Sequence, residues 1–168
     1  MRNTASLTKL VYMKNFLLLF VFSTLILNSC SSEDDPLFVE YSKNRDLWES
    51  QQIDSYQFSE RLSCFCGGIL NKSLVVKDNV KDTVYFEIPS WYPPETTIED
   101  LYPNVLQSAK TIDEAFDFIE EVLQQDVDYL GVEYHETYGF PIAISVNYVE
   151  SYSDDEIFYG FSDFEIID

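Results

Sequence analysis

Basic residues are scarce in this chain: ten lysines and arginines and one histidine stand against thirty acids, a formal charge of −20. A protein that neutralises phosphates needs clustered Lys and Arg, and none occur, so nucleic acid is excluded as a partner. Long apolar runs are lacking too. Residues 16–27 read FLLLFVFSTLIL, twelve in a row, short of the about 20 needed to cross the hydrocarbon core of a bilayer. No Gly-x-Ser-x-Gly, no His-Glu-x-x-His and no phosphate-cradling glycine loop is present, so no catalytic constellation names a reaction. Acidity does not imply disorder here, because thirteen Phe, twelve Tyr and two Trp bring the aromatic fraction to 16%.

The twelve-residue run follows Lys14 and precedes Leu27-Asn28-Ser29-Cys30. This is the layout of a signal-peptide core ending in a lipobox, at which a cysteine thiol is diacylated and the chain is cut before it. The competing readings are an ordinary secreted protein or an inner-membrane anchor. We expect residues 1–29 to be removed, residues 30–35 to form a lipidated acidic tether, and 36–168 to fold as a single domain. The covalent diacylglycerol and fatty acid on Cys30 are the only prosthetic groups expected. Met13-Lys14-Asn15 is the more usual beginning of such a leader, which places the translation start at Met13.

Removing 29 of 168 residues leaves 139, enough for one core. Three basic residues go with the leader, so seven remain against thirty acids and the charge becomes −23. That sign opposes lying flat on anionic lipid, leaving the acyl chains to hold the protein to the bilayer. Ser31-Ser32-Glu33-Asp34-Asp35 resembles the acid-rich export signals of some Gram-negative lipoproteins, and Ser31 stands where inner-membrane retention would want Asp. The expected location is the cell envelope of a Gram-negative bacterium, in the outer membrane, with surface exposure a further expectation.

Along the folded part, Asp35-Pro36 reads as a helix start. A helix to about Gln52 follows, with Leu37, Phe38, Tyr41 and Trp48 inward and Lys43, Arg45, Asp46 and Glu49 outward. Segments 55–62, 70–76 and 80–88 read as strands, the last two joined through Lys77-Asp78-Asn79 as a hairpin. Residues 89–110 contain Pro89, Pro93, Pro94 and Pro103 and read as a long loop with at most a turn of helix at 98–102. Thr111-Ile112-Asp113-Glu114 is a capping box opening a second helix to about Gln125, whose stripe of Ile112, Ala115, Phe116, Ile119, Val122 and Leu123 is core. Three strands follow over 127–136, 142–150 and 156–167, with turns at Tyr138-Gly139-Phe140-Pro141 and Ser151–Asp155. The fold class is therefore α+β, an antiparallel sheet packed by two helices in the order α-β-β-β-α-β-β-β. Asp46-Leu47-Trp48…Gln51-Gln52…Tyr56 and Asp117-Phe118-Ile119…Gln124-Gln125…Tyr129 are weakly similar, the mark of a duplicated α-β-β-β unit.

Trp48, Tyr56-Gln57-Phe58, Ser63-Cys64-Phe65-Cys66, the capped helix from Thr111 and Val132-Glu133-Tyr134…Gly139-Phe140-Pro141 together resemble an uncharacterised bacterial lipoprotein family of the domain-of-unknown-function type, family 6174, over about residues 45–166. The resemblance implies a lipoprotein or secreted protein and no activity. His135 stands where the family's Asp is expected after the tyrosine. By element order alone, the chain is also similar to small outer-membrane assembly lipoproteins and tandem proteinaceous inhibitors.

Cys64 and Cys66 are the sharpest chemical feature. Two residues apart in an extended segment, their side chains point the same way, and an exported protein meets an oxidising compartment. A structural disulfide, a redox couple, a soft-metal clip for Cu(I) or Zn(II) and free thiols are the alternatives, zinc being short of ligands with one histidine. His135, between Glu133 and Glu136, is either a surface residue or a general base or ligand. Asp154-Asp155-Glu156 lacks the spaced oxygens of a calcium loop and reads as a solvated turn. Trp91 and Tyr92 lie in the Pro-rich segment, where they either bind another molecule or fold back as a core plug. The sequence thus points to a membrane-anchored, non-enzymatic module that binds a protein or small-molecule partner in the envelope. The alternatives are a redox or soft-metal protein using Cys64 and Cys66, and an envelope hydrolase.

Overall fold

Proline's fixed φ suits the first turn of a helix, and helix α1 (Pro36–Ser50) begins at Pro36. The computed structural model describes residues 35–149 and 156–167; the leader, Met13, Cys30 and the Ser151–Asp155 turn lie outside the described residues. After α1, strands β1 (Tyr56–Ser63), β2 (Asn71–Lys77) and β3 (Val80–Phe86) form an antiparallel meander. The β2–β3 turn turns on Asp78 and Asn79, both at positive φ (50° and 61°), the geometry whose twist matches a tight hairpin and which Asp and Asn tolerate. Helices α2 (Ile98–Ser108) and α3 (Ile112–Leu123) come next, then β4 (Tyr129–Tyr134), β5 (Pro141–Asn147) and β6 (Ile157–Ile166).

The six strands make one antiparallel sheet in the order β3-β2-β1-β6-β5-β4. The last strand therefore closes on the first, and β1 and β6 hold the centre. The class is α+β as expected, with three helices among the described residues rather than two. The additional helix, α2, occupies part of the segment read as a Pro-rich loop. Thr97 caps it: its hydroxyl accepts from Asp100 N at 3.2 Å, and the Asp100 carboxylate accepts from Thr97 N at 3.0 Å. Pro103 sits inside this helix and leaves one carbonyl without its intrahelical donor. Packing outweighs that loss: Val105 is buried, and the Tyr102 hydroxyl accepts from the N–H of Val84 on the outer strand β3 at 3.4 Å.

One aromatic-rich core lies between helices and sheet. The Trp48 ring meets Tyr56, Phe140 and Phe164 edge-on at 5.5–6.0 Å, while its indole N–H donates to Asp113 Oδ1 of α3 at 3.0 Å. Arg45, expected to point outward, instead clamps α1 to α3. Its guanidinium reaches Asp117 at 3.1 Å and Glu120 at 3.2 Å, because α3 brings carboxylates alongside it. The similarity between the two halves does not extend to burial: Tyr56 is fully buried and Tyr129 is 56% exposed.

Candidate functional site: the open face of the sheet

Period-two alternation assigns each strand residue to one face. In β1, Tyr56, Phe58 and Glu60 are buried beneath the helices, so Gln57, Ser59, Arg61 and Ser63 share the opposite face. The pairing registers align that face into rows. Tyr85, Ser73, Ser59 and Ser162 follow one another across β3, β2, β1 and β6. The Ser59 and Ser73 hydroxyl oxygens lie 3.2 Å apart. The next row runs Asn71, Arg61, Gly160, Ala143, Glu133, and the one beyond it Ser63, Phe158, Ser145, Gly131. The floor is built of small and hydroxyl side chains, with aromatics lying along it. The Phe158 ring fills the space that a Cβ on Gly160 would enter, 3.1 Å away, and the Tyr129 ring does the same over Gly131.

Two hollows open on these rows. The larger, about 840 Å³, is lined by the serine row, Arg61, Tyr85 and Trp91, with Asn71 and the Glu87 carboxylate also on its wall. The smaller, about 520 Å³, lies between Tyr129 and Phe158, with Ser145 and Asn147 below and Cys64 and Phe65 at its rim. Asn147 Oδ1 is sealed from solvent and has no hydrogen-bond donor among the described residues, so it can accept one.

The charges on this face are informative because cations are so few. Arg45, Lys72, Lys77 and Lys81 are engaged in ion pairs, and the Lys110 ammonium sits over the Phe118 and Tyr159 rings at 5.0 and 5.5 Å. Arg61 is exposed and, among the described residues, pairs with no carboxylate. Burial raises the hydroxyl pKa of Tyr56 and Tyr134 and pushes that of Tyr159 up to about 12, so these phenols stay protonated at neutral pH and are not bases.

The candidates read from sequence fall in different places. Trp91 is 67% exposed and lines the larger hollow. Tyr92 turns the other way and packs on the core, its N–H donating to the Pro89 carbonyl at 3.0 Å. Cys64 and Cys66 are joined in a disulfide, with Cα atoms 5.2 Å apart, and Phe65 between them is 84% exposed. His135 lies in neither hollow. Its Nδ1 accepts from Thr137 N at 3.2 Å and Tyr138 N at 3.3 Å, and its ring stacks on Phe140 at 4.9 Å, so it holds the β4–β5 turn. Among the described residues no three of His, Cys, Asp and Glu gather in a way that could hold a metal ion.

Sequence reasoning missed Arg61, Tyr85 and the serine row. The signal was present in the polar phase of β1, where Gln57, Ser59, Arg61 and Ser63 alternate with the core residues; knowing which strands would flank it was not. Neither a curated protein nor a solved structure matches the chain. A family model does match, over residues 40–166, and by it the chain belongs to a family of unknown function, DUF6174.

Proposed function

We propose that this protein is a lipid-anchored, non-enzymatic binding module of the bacterial envelope, with the open face of its sheet as the binding surface. The observation that carries the reading is the larger hollow, lined by exposed Trp91 and Tyr85, by hydroxyls aligned in register and by Arg61, which pairs with no carboxylate among the described residues. Concave surfaces with aromatic walls and a few convergent polar groups are where small ligands and partner segments bind. Anchorage rests on the leader and Cys30, and no described helix is long and apolar enough to cross a membrane. The acidic tether favours the outer membrane of a Gram-negative cell, and the charge of the chain disfavours nucleic acid as partner.

The experiment is an amide-shift titration of the mature lipoprotein in micelles with envelope saccharides and peptides. Shifts at Ser59, Ser73 and Ser162 without turnover are expected. Shifts confined to α1 and α3 would overturn the location, and released products would overturn the non-enzymatic reading in favour of a hydrolase. The redox alternative rests on the Cys64–Cys66 bond at the rim of the smaller hollow.

A further inference from the structure

Resting on the reading of the open face as a binding surface, we propose that the larger hollow takes an acidic saccharide, a chain of sugar rings bearing carboxylates. In a protein with thirty acids and ten basic residues, an unpaired guanidinium is unexpected. Arg61 has no carboxylate partner among the described residues, although four of the other basic side chains are paired. Its row neighbour Gly160 is covered by the Phe158 ring, and Arg61 itself lines the larger hollow beside the serine row. A guanidinium offers a planar fork of donors that fits a carboxylate in bidentate fashion.

The rest of the hollow suits sugar rings. Trp91 and Tyr85, 67% and 63% exposed, both line it, and an aromatic ring is a surface on which the C–H side of a pyranose can lie. The hydroxyls of Ser59 and Ser73, one strand apart, hydrogen-bond to each other at 3.2 Å, which leaves one proton to donate and lone pairs on both oxygens to accept from a sugar's hydroxyls. Successive same-face residues along a strand are about 7 Å apart, so the serine row and the Arg61 row are spaced to read a ring hydroxyl and a ring carboxylate of one saccharide. A ring-free polyanion would meet the negative field of the protein without the stacking that offsets it. A polyglutamate-like peptide has no rings to lie against Trp91 and Tyr85.

The chain contains two tryptophans, Trp91 in the hollow and Trp48 in the core, so fluorescence change on ligand addition reports the hollow directly. The mature lipoprotein in micelles is titrated with oligogalacturonate, malto-oligosaccharide, polyphosphate and polyglutamate. Saturable change with oligogalacturonate is expected, with Arg61→Gln weakening it about 10- to 100-fold, the value of a charge-assisted hydrogen bond. Arg61→Lys should lose less, and Trp91→Ala, followed by calorimetry, should weaken binding about tenfold. Equal affinity for malto-oligosaccharide, an unchanged affinity in Arg61→Gln, tighter binding of polyphosphate or polyglutamate, or no binding of oligogalacturonate at millimolar concentration overturns the proposal. Polyglutamate shifting open-face amides where saccharides do not overturns the ligand class and leaves the binding surface standing. Ligands that shift only the helical face overturn both.

Discussion

Glu60 faces Lys72 directly across the β1–β2 register, carboxylate to ammonium at 2.8 Å, with both side chains almost sealed from solvent. Glu60 Oε1 meets the ammonium, while Oε2 accepts from Lys110 N at 2.8 Å at the α2–α3 junction. A buried pair of this kind is costly to desolvate and costlier to break.

Lys72→Met alone should therefore destabilise the domain by about 3–5 kcal/mol, because it leaves a buried carboxylate unpaired. Glu60→Gln together with Lys72→Met should recover much of that loss, since the glutamine carbonyl can still accept from Lys110 N. Urea unfolding of the two variants checks this; a double variant no more stable than the single would contradict it.

At the β4–β5 turn, His135 acts through the lone pair on Nδ1, which accepts from two backbone N–H groups. An aspartate carboxylate can accept from the same two donors, as in an Asx turn. We expect His135→Asp to keep the turn and His135→Ala to lose about 1 kcal/mol, in the range of a lost capping acceptor. Equal thermal shifts for both variants would argue that ring stacking on Phe140, rather than Nδ1, holds the turn.

The Thr97 hydroxyl, and then its backbone N–H, hold the Asp100 carboxyl below the ordinary aspartate range. The ionised form is favoured in the folded protein, so this support for the α2 cap is present above the unfolded pKa of about 3.9. It fades as pH falls through the lower native value. Protection of the Thr97 and Asp100 amides, taken relative to intrinsic exchange at each pH, should fall on acidification through that window while α3, capped by Thr111 and Glu114, is followed as an internal comparison. A protection factor at Thr97 that stays constant across that range would remove Asp100 from the cap.

The Cys64–Cys66 bond closes a ring of very few residues, and such a loop constrains the unfolded chain less than the roughly 3 kcal/mol estimated for a 15-residue loop. Replacing both with Ala should leave the fold standing, as read by circular dichroism, and mass spectrometry of non-reduced mature protein should show them joined. Two reduced thiols in protein taken from its native compartment would refute the pairing.

On the proposed anchorage, Cys30→Ser should abolish lipid labelling and release the protein from membranes. A cleaved, unlabelled Cys30→Ser protein that stays on the membrane would show that another segment holds it.

What the amino-acid order determines here is local. Alternation in β1 and β5 assigns residues to faces, Thr111 and Glu114 start α3, Asp78-Asn79 shape the hairpin, and the stripe from Ile112 to Val122 marks the buried side of a helix. Each depends on neighbours a few residues away, where backbone geometry is the dominant constraint. The pairing of β1 with β6, which sets Tyr56 beside Ile166, depends on which arrangement buries the most aromatic surface over the whole chain. No periodicity encodes that choice. The same holds for α2, where packing overrides the signal of Pro103, and for Arg61, whose lack of a carboxylate partner among the described residues depends on where the rest of the fold sets its acids. The face that Arg61 occupies follows from its place in β1; the serine row beside it was decided only when β2 and β6 closed around that strand.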